Sequence, residues 1–328
     1  MSSLNYYTLI KKAELLICEG NFKQASESYT KAFNEIEKPF GKDLFNAALT
    51  SQLSNSLKER DDRLQSIIDN SNDLDNVKSK FVGTYLTEKE WQDLIEKQKI
   101  KYNPNLREEF KKIHDRDQSF RPMYDTHDDT INTNRKINME RILSLTDSIG
   151  FPSHIELGYT NYLRGQKHDI VLHHTTQRRS YDKTVTDLEP ILYKAVQEGR
   201  FDPDQAIFYL NFQNDQEKGP FEVYSTWQYK HPLLPDSLNN KIWLTKLDEK
   251  QKLEANIRRE EWNANSLEEI AIKSTFLAKS NLPFIFTCVR KSIGNLRDDF
   301  DKETALQQYK GFTSRMEEYR EKTVTNKG

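Results

Sequence analysis

The feature that most constrains this chain is a pair of helix-period apolar stripes at its start, separated by a single glycine. Leu4, Tyr7, Leu9, Ile10, Ala13, Leu16 and Ile17 recur at the spacing of one helical face. Glu19-Gly20-Asn21 interrupts them, and Gly20 suits the left-handed position just past a helix end. Phe22, Ala25, Tyr29, Ala32 and Phe33 then resume the period. Small Ala25 and Ala32 let two helices approach closely, while Tyr29 fills the groove between them. A chain that opens this way is expected to fold first as a helical hairpin.

The order Ala13, Gly20-Asn-Phe, Ala25, Tyr29, Ala32 resembles a tetratricopeptide helix pair. Asp43 to Leu53 looks like the opening helix of a second unit, with Asp61 to Asp69 (Leu64, Ile67, Ile68) as its partner. The glycine expected at that turn is missing, since Asn55-Ser-Leu-Lys-Glu-Arg60 stands there. Leu74 to Leu94, with Val77, Phe81, Leu86 and Trp91, resembles the tail that closes such repeats in bacterial proteins. Repeat arrays need about three units to stand alone, so a two-unit module is expected to lean on the rest of the chain. Lys97 to Asn105, with Pro104, reads as a linker or the start of a new helix.

Composition narrows the class. At 328 residues the chain is comfortable for two domains, and 35% hydrophobic residues are enough to bury cores. The formal net charge of -2, with acids and bases interspersed, provides no field for tracking phosphates, so nucleic acid is not an expected partner. Cys18 and Cys288 do not make a disulfide framework, which points to a reducing compartment. No signal peptide is recognisable, and no stretch approaches the roughly 18 apolar residues of a membrane span. The expectation is a cytoplasmic protein without membrane association.

From Leu106 onward further helices are expected: one from Leu106 ending near Pro122, then Asp125 to Gly150 with Ile131, Ile137, Ile142, Leu145 and Ile149 facing inward. Ser153 reads as an N-cap, followed by helical pieces at Ile155 to Leu163 and Ile170 to Leu172. Asp187 to Glu198 (closed by Gly199), Asp204 to Phe212, Leu247 to Asn265, Leu267 to Ala278 and Thr304 to Tyr319 complete the helical set. Val223 to Trp227 alternates with period two, and is expected to pair with Ile242-Trp-Leu-Thr245. The fold class is therefore mainly α. Tetratricopeptide-like hairpins occupy residues 1–100, and a mainly helical domain with a short β-hairpin near 221–245 occupies residues 106–328.

The chemistry concentrates in Ile170-Val-Leu-His-His-Thr-Thr-Gln-Arg-Arg179, where three apolar residues run into His173 and His174. Imidazole moves a proton most easily near neutral pH. The bland alternative is a histidine closing a helix C-terminus, where its charge suits the dipole. Neither His-Glu-x-x-His nor Cys-x-x-Cys occurs, and there is no Gly-x-Ser-x-Gly, Walker loop or Rossmann glycine pattern. No metal site is expected, and no cofactor is assigned.

Residues from about Asp117 to Ile272 resemble a bacterial domain family of unknown function with an ordered run of motifs. Asp117-Gln118, Asp129 with Asn134, Gly150-Phe-Pro152, Gly158, His174, Ala195-Val-Gln-Glu-Gly199 and Tyr224-Ser-Thr226 match that order. The chain departs from it at His173 (family Gln), Ser225 (family Gly) and Trp227 (family Gln), and Asn211-Phe212 stand near the place of an Asp-Arg pair. The resemblance implies a polar site drawn from Asp117, Gln118, Asn134, His174, Tyr224 and Thr226, and His173 stands beside His174 as a further candidate. Three functions stand open at this level. The first is an adaptor that offers its hairpin module to a protein or peptide partner. The second is an enzyme with a His174-centred pocket acting on a peptide or small molecule, and the third is an immunity or regulatory protein of a bacterial gene cluster.

Overall fold

The computed structural model describes residues 4–71, 73–120, 124–160, 163, 166–213, 226–228, 235, 238, 242–289, 302–313 and 316–318. It is mainly helical. Helices α1 (Leu4–Cys18) and α2 (Phe22–Phe33) form the first hairpin, and α3 (Gly41–Leu53) and α4 (Leu57–Asp69) the second. Helix α2 packs on α3, so the hairpins stack in sequence order. Gly20 takes the left-handed conformation at the first turn (φ 78°), as expected. At the second turn Asn55 does so (φ 59°), and this is why no glycine is needed there: Asn tolerates that region. Helix α5 (Asp75–Phe81) and α6 (Glu88–Ile95) come next, with Phe81 and Trp91 buried and α6 resting on α4.

The expected boundary at 100–106 meets an irregular connection that ends at residue 103, yet the hydrophobic core runs continuously across it. The Tyr7 hydroxyl lies 3.0 and 3.1 Å from the carbonyls of Val196 and Phe201. Past the connection come α7 (Pro104–Gln118), capped by the Asn103 side chain, and α8 (Tyr124–Ile149), closed by Gly150 at φ 80°. Ile131, Ile142 and Leu145 of α8 are buried as expected, but Ile137 and Ile149 are exposed, because only one side of α8 meets its neighbours. Among the described residues, only Ile155–Leu157 of the expected Ile155–Leu163 piece is helical, within α9 (His154–Leu157). The next helix, α10, runs from Asp169 through Tyr181, well past the expected Leu172. Helices α11 (Glu189–Gln197) and α12 (Pro203–Gln213) pack together, and α12 covers α10.

Strand β1 (Thr226–Gln228) pairs antiparallel with β2 (Ile242–Thr245), with Trp227 opposite Trp243. That is the expected pairing, although residues 223–225 and the connecting turn at 231–234 lie outside the described residues. A third strand, β3 (Met316–Glu318), joins the other edge of β2. This corrects the expectation of one helix to Tyr319: that helix, α15 (Lys302–Thr313), stops earlier, and pairing with β2 takes Met316–Glu318 into the sheet. Between these elements lie α13 (Glu249–Glu261) and α14 (Leu267–Lys279), and α14 packs on α1 and carries the sheet. The apolar run Leu282–Val289 has no regular secondary structure, and it buries Phe284, Phe286 and Val289. Among the described residues no helix is long and apolar enough to cross a membrane.

Candidate functional site

Helix α7 buries Phe110, Ile113 and Asp117, three residues at one-face spacing. The stripe that packs the helix therefore also carries a carboxylate into the interior, where only 1% of the Asp117 side chain is exposed. A buried carboxylate needs hydrogen-bond donors. Two are supplied to Oδ2: His174 Nδ1 at 2.7 Å and Gln118 Nε2 at 2.7 Å. Because the carboxylate only accepts, the imidazole proton sits on Nδ1, and Nε2 is left as the basic nitrogen. No hydrogen bond to Nε2 is formed among the described residues, and 13% of the His174 side chain remains exposed.

His174 is the sixth residue of α10, not the last. The reading of a histidine at a helix C-terminus is thereby corrected, because the helix continues through Tyr181. Consecutive helical residues point about 100° apart, so the two histidines face different neighbours. His174 turns to α7, whereas His173 turns to α12, stacking on Phe208 (centroids 6.1 Å, interplanar 11°) and meeting Phe212 edge-on at 4.7 Å. His173 is an aromatic packing element beside the site.

The other expected residues divide. Gln118 belongs to the constellation. Asn134 does not touch it: its Nδ2 donates to the Arg116 carbonyl at 3.2 Å and lies 3.4 Å from Ser119 Oγ. Together with Asn138, which donates to the Ile113 carbonyl at 2.9 Å and accepts from Arg116 Nη1 at 3.1 Å, it clamps the turn of α7 that carries Asp117. Thr226 opens β1, which rests on α14, and Tyr224 lies outside the described residues. Elsewhere α8 and α10 border an open cleft of about 680 Å³, lined by Asp129, Lys136, Met139, Thr175 and Thr184 but by neither Asp117 nor His174.

The sequence reading missed a second buried polar region altogether. Lys42 on α3 lies 2.7 Å from Asp43, 3.4 Å from Asp202 and 3.8 Å from Glu14. Glu14 also pairs with Lys273 at 2.5 Å, and Asp204 pairs with Arg259 and Asn265. All of these side chains are buried. Burial pushes the Asp43 carboxyl up to about 6, against the pull of Lys42. The only sequence signal was charges at positions of apolar stripes, and nothing there says which pairs with which.

No group of three or more His, Cys, Asp or Glu side chains able to hold a metal ion occurs among the described residues. Neither thiol is primed as a nucleophile, since burial pushes Cys18 up to about 12 and raises Cys288 as well. Comparison with family models, curated proteins and solved structures returns no match.

Proposed function

We propose that this chain is an enzyme in which His174 acts as general base and then general acid, oriented by Asp117, on a small polar molecule or a peptide. The observation that carries this reading is the 2.7 Å contact between His174 Nδ1 and the buried Asp117 carboxylate, which leaves Nε2 without a hydrogen bond among the described residues on a side chain that stays 13% exposed. The same division of labour, a carboxylate holding one ring nitrogen while the other handles the proton, recurs on unrelated folds. No serine, threonine or cysteine side chain bonds to His174 among the described residues, so water is the nucleophile that fits. Nε2 takes a proton from water as its oxygen attacks an electrophilic centre of the substrate. The imidazolium, stabilised by Asp117, then returns the proton to the leaving group. Gln118 fixes Asp117, and Asn134 and Asn138 fix the turn beneath it. Asp117-Gln118 and His174, separate motifs of the resemblance, meet here in space, whereas the departures at Ser225 and Trp227 weigh toward the adaptor reading below.

The test compares wild type with His174→Ala and Asp117→Asn. Each protein is incubated with a pool of peptides and small metabolites, and depletion is followed by mass spectrometry. A compound consumed by wild type alone supports the enzyme. Equal depletion by all three, or none by any, speaks against it.

A second reading, an adaptor binding a protein or peptide, is favoured by the two successive hairpins α1–α4 and their likeness to tetratricopeptide pairs. Against it, part of that module is taken up within the chain itself: α14 covers α1, and Asn46 of α3 holds the backbone of Ile285. A stable partner retained from host extract by both wild type and a His173→Ala/His174→Ala variant would favour this reading.

A further inference from the structure

A cavity of about 40 Å³ lies where the start of α3, the α9–α10 connection and the start of α12 meet. It shares no residue with the His174 site: Asp169, which borders it, opens α10 five residues before His174. Its wall includes Phe40, Tyr159 and Phe201, with the carboxylates of Asp169 and Asp202. Asp169 is only 7% exposed. Its Oδ2 accepts from the Gln166 backbone N–H at 2.9 Å and from Gln205 Nε2 at 2.6 Å. Its Oδ1 is buried and has no hydrogen-bond partner among the described residues. A carboxylate oxygen deprived of both water and a donor is costly to keep, and the side chain that carries it borders the cavity.

The cations that line the cavity are already engaged. Lys42 is shared by Asp43, Asp202 and Glu14, and Arg200 pairs with Glu156 at 2.7 Å and the Phe151 carbonyl at 3.1 Å. Behind the cavity, four buried carboxylates (Glu14, Asp43, Asp202, Asp204) face three buried cations (Lys42, Lys273, Arg259). Asp169 adds a further acidic group with no cation beside it among the described residues. The region is short of positive charge. Aromatic walls are a second feature that attracts cations, through the negative face of the ring. The His154 imidazole, in contact with Phe40 at 4.3 Å between centroids, does not compete, because burial pushes it down to about 3 and it stays neutral.

We propose that this cavity binds a small primary ammonium group, with Asp169 Oδ1 accepting its hydrogen bonds and Phe40, Tyr159 and Phe201 enclosing its alkyl stem. A water needs about 10–15 Å³ of such space, so the cavity admits a group of only a few heavy atoms, such as methylammonium or the tip of an amine-bearing chain. Water filling, with no preference for an ammonium, is the competing outcome.

The experiment is a thermal melt of the full chain in methylammonium chloride, with sodium chloride and tetramethylammonium chloride at matched ionic strength as controls. Methylammonium is expected to raise Tm saturably in wild type, by about 2–5 °C at ten times its dissociation constant. Tetramethylammonium, which is bulkier and has no N–H, should behave like sodium. In Asp169→Asn, which keeps the size of the side chain, the methylammonium effect should vanish. Equal shifts with all three salts, no saturable shift in wild type, or a shift retained in a folded Asp169→Asn would overturn the proposal. The wild-type salt comparison decides alone if the variant fails to fold.

Discussion

Asn46 on α3 grips the backbone of Ile285 with both ends of its amide: Nδ2 donates to the Ile285 carbonyl at 2.7 Å, and Oδ1 accepts from the Ile285 N–H at 2.8 Å. The two residues are 239 positions apart. An irregular segment has no ladder to satisfy its own peptide groups, and this side chain replaces one. The contact seats Phe284 and Phe286 in the core, where Phe284 stacks on Phe22 at 6.3 Å between centroids. Asn46→Ala strands one donor and one acceptor in the interior. Unpaired buried groups cost about 1–3 kcal/mol each, so urea unfolding should show a loss of about 2–4 kcal/mol. A loss under about 0.5 kcal/mol, the size of an ordinary surface substitution, would mean the segment holds its place without Asn46.

The Asp117–His174 pair makes a kinetic prediction once a substrate is found. His174→Ala removes the base, and Asp117→Asn removes the group that sets its tautomer. Each should lower kcat by about 10²–10⁴-fold. Asn134→Ala, one step removed, should cost less than either and should lower Tm. If Asn134→Ala matched His174→Ala in kcat at unchanged Tm, the division of roles drawn between them would be wrong.

Burial pushes Asp169 up to about 7, against a partial pull downward from the Gln166 N–H and the Gln205 amide. The folded state therefore holds its proton more tightly than the unfolded chain, whose carboxylate titrates near 4. Asp169 contributes most to stability below about pH 4, and the contribution is lost as pH rises through about 7. Asp169→Asn has no such proton to lose. The Tm difference, variant minus wild type, should grow more positive between about pH 5 and pH 8 in the absence of amines. A flat difference would show that Asp169 titrates alike in both states.

His154 and His168 behave in the opposite sense. Burial pushes both down to about 3, and His168 sits fully enclosed, 4.5 Å from Phe110 and 5.8 Å from Phe151 between ring centroids. In the unfolded chain each would gain a proton below about 6.5. Their neutral burial is without cost above that pH, and stability falls as pH drops from about 6.5 toward 3, by about 1.4 kcal/mol per pH unit for each histidine. His168→Leu should reduce the slope of stability against pH between about 6 and 4.5, as read from urea midpoints. An unchanged slope would remove His168 from the account.

Much of the local structure was determined by the sequence alone. Gly20, Gly150 and Gly199 stand at left-handed positions just past helices, and Thr226–Gln228 pairs with Ile242–Thr245. These arise from interactions within about four residues, or from a period-two pattern, and both are written in adjacent letters. Asp117, Gln118 and His174 were legible as separate motifs, but their meeting was not. Helix periodicity says that Asp117 shares a face with Phe110 and Ile113, and nothing in it says that α10 is the neighbour. The tertiary structure alone decided the rest. It placed Ile137 outside, carried the core across residues 100–106, and matched Lys273 with Glu14 over 259 positions. It also left Asp169 Oδ1 buried without a partner among the described residues, on a side chain that borders a small cavity. Such pairings depend on which surfaces close upon one another when the chain packs to the density of a solid, and no local spacing encodes that choice.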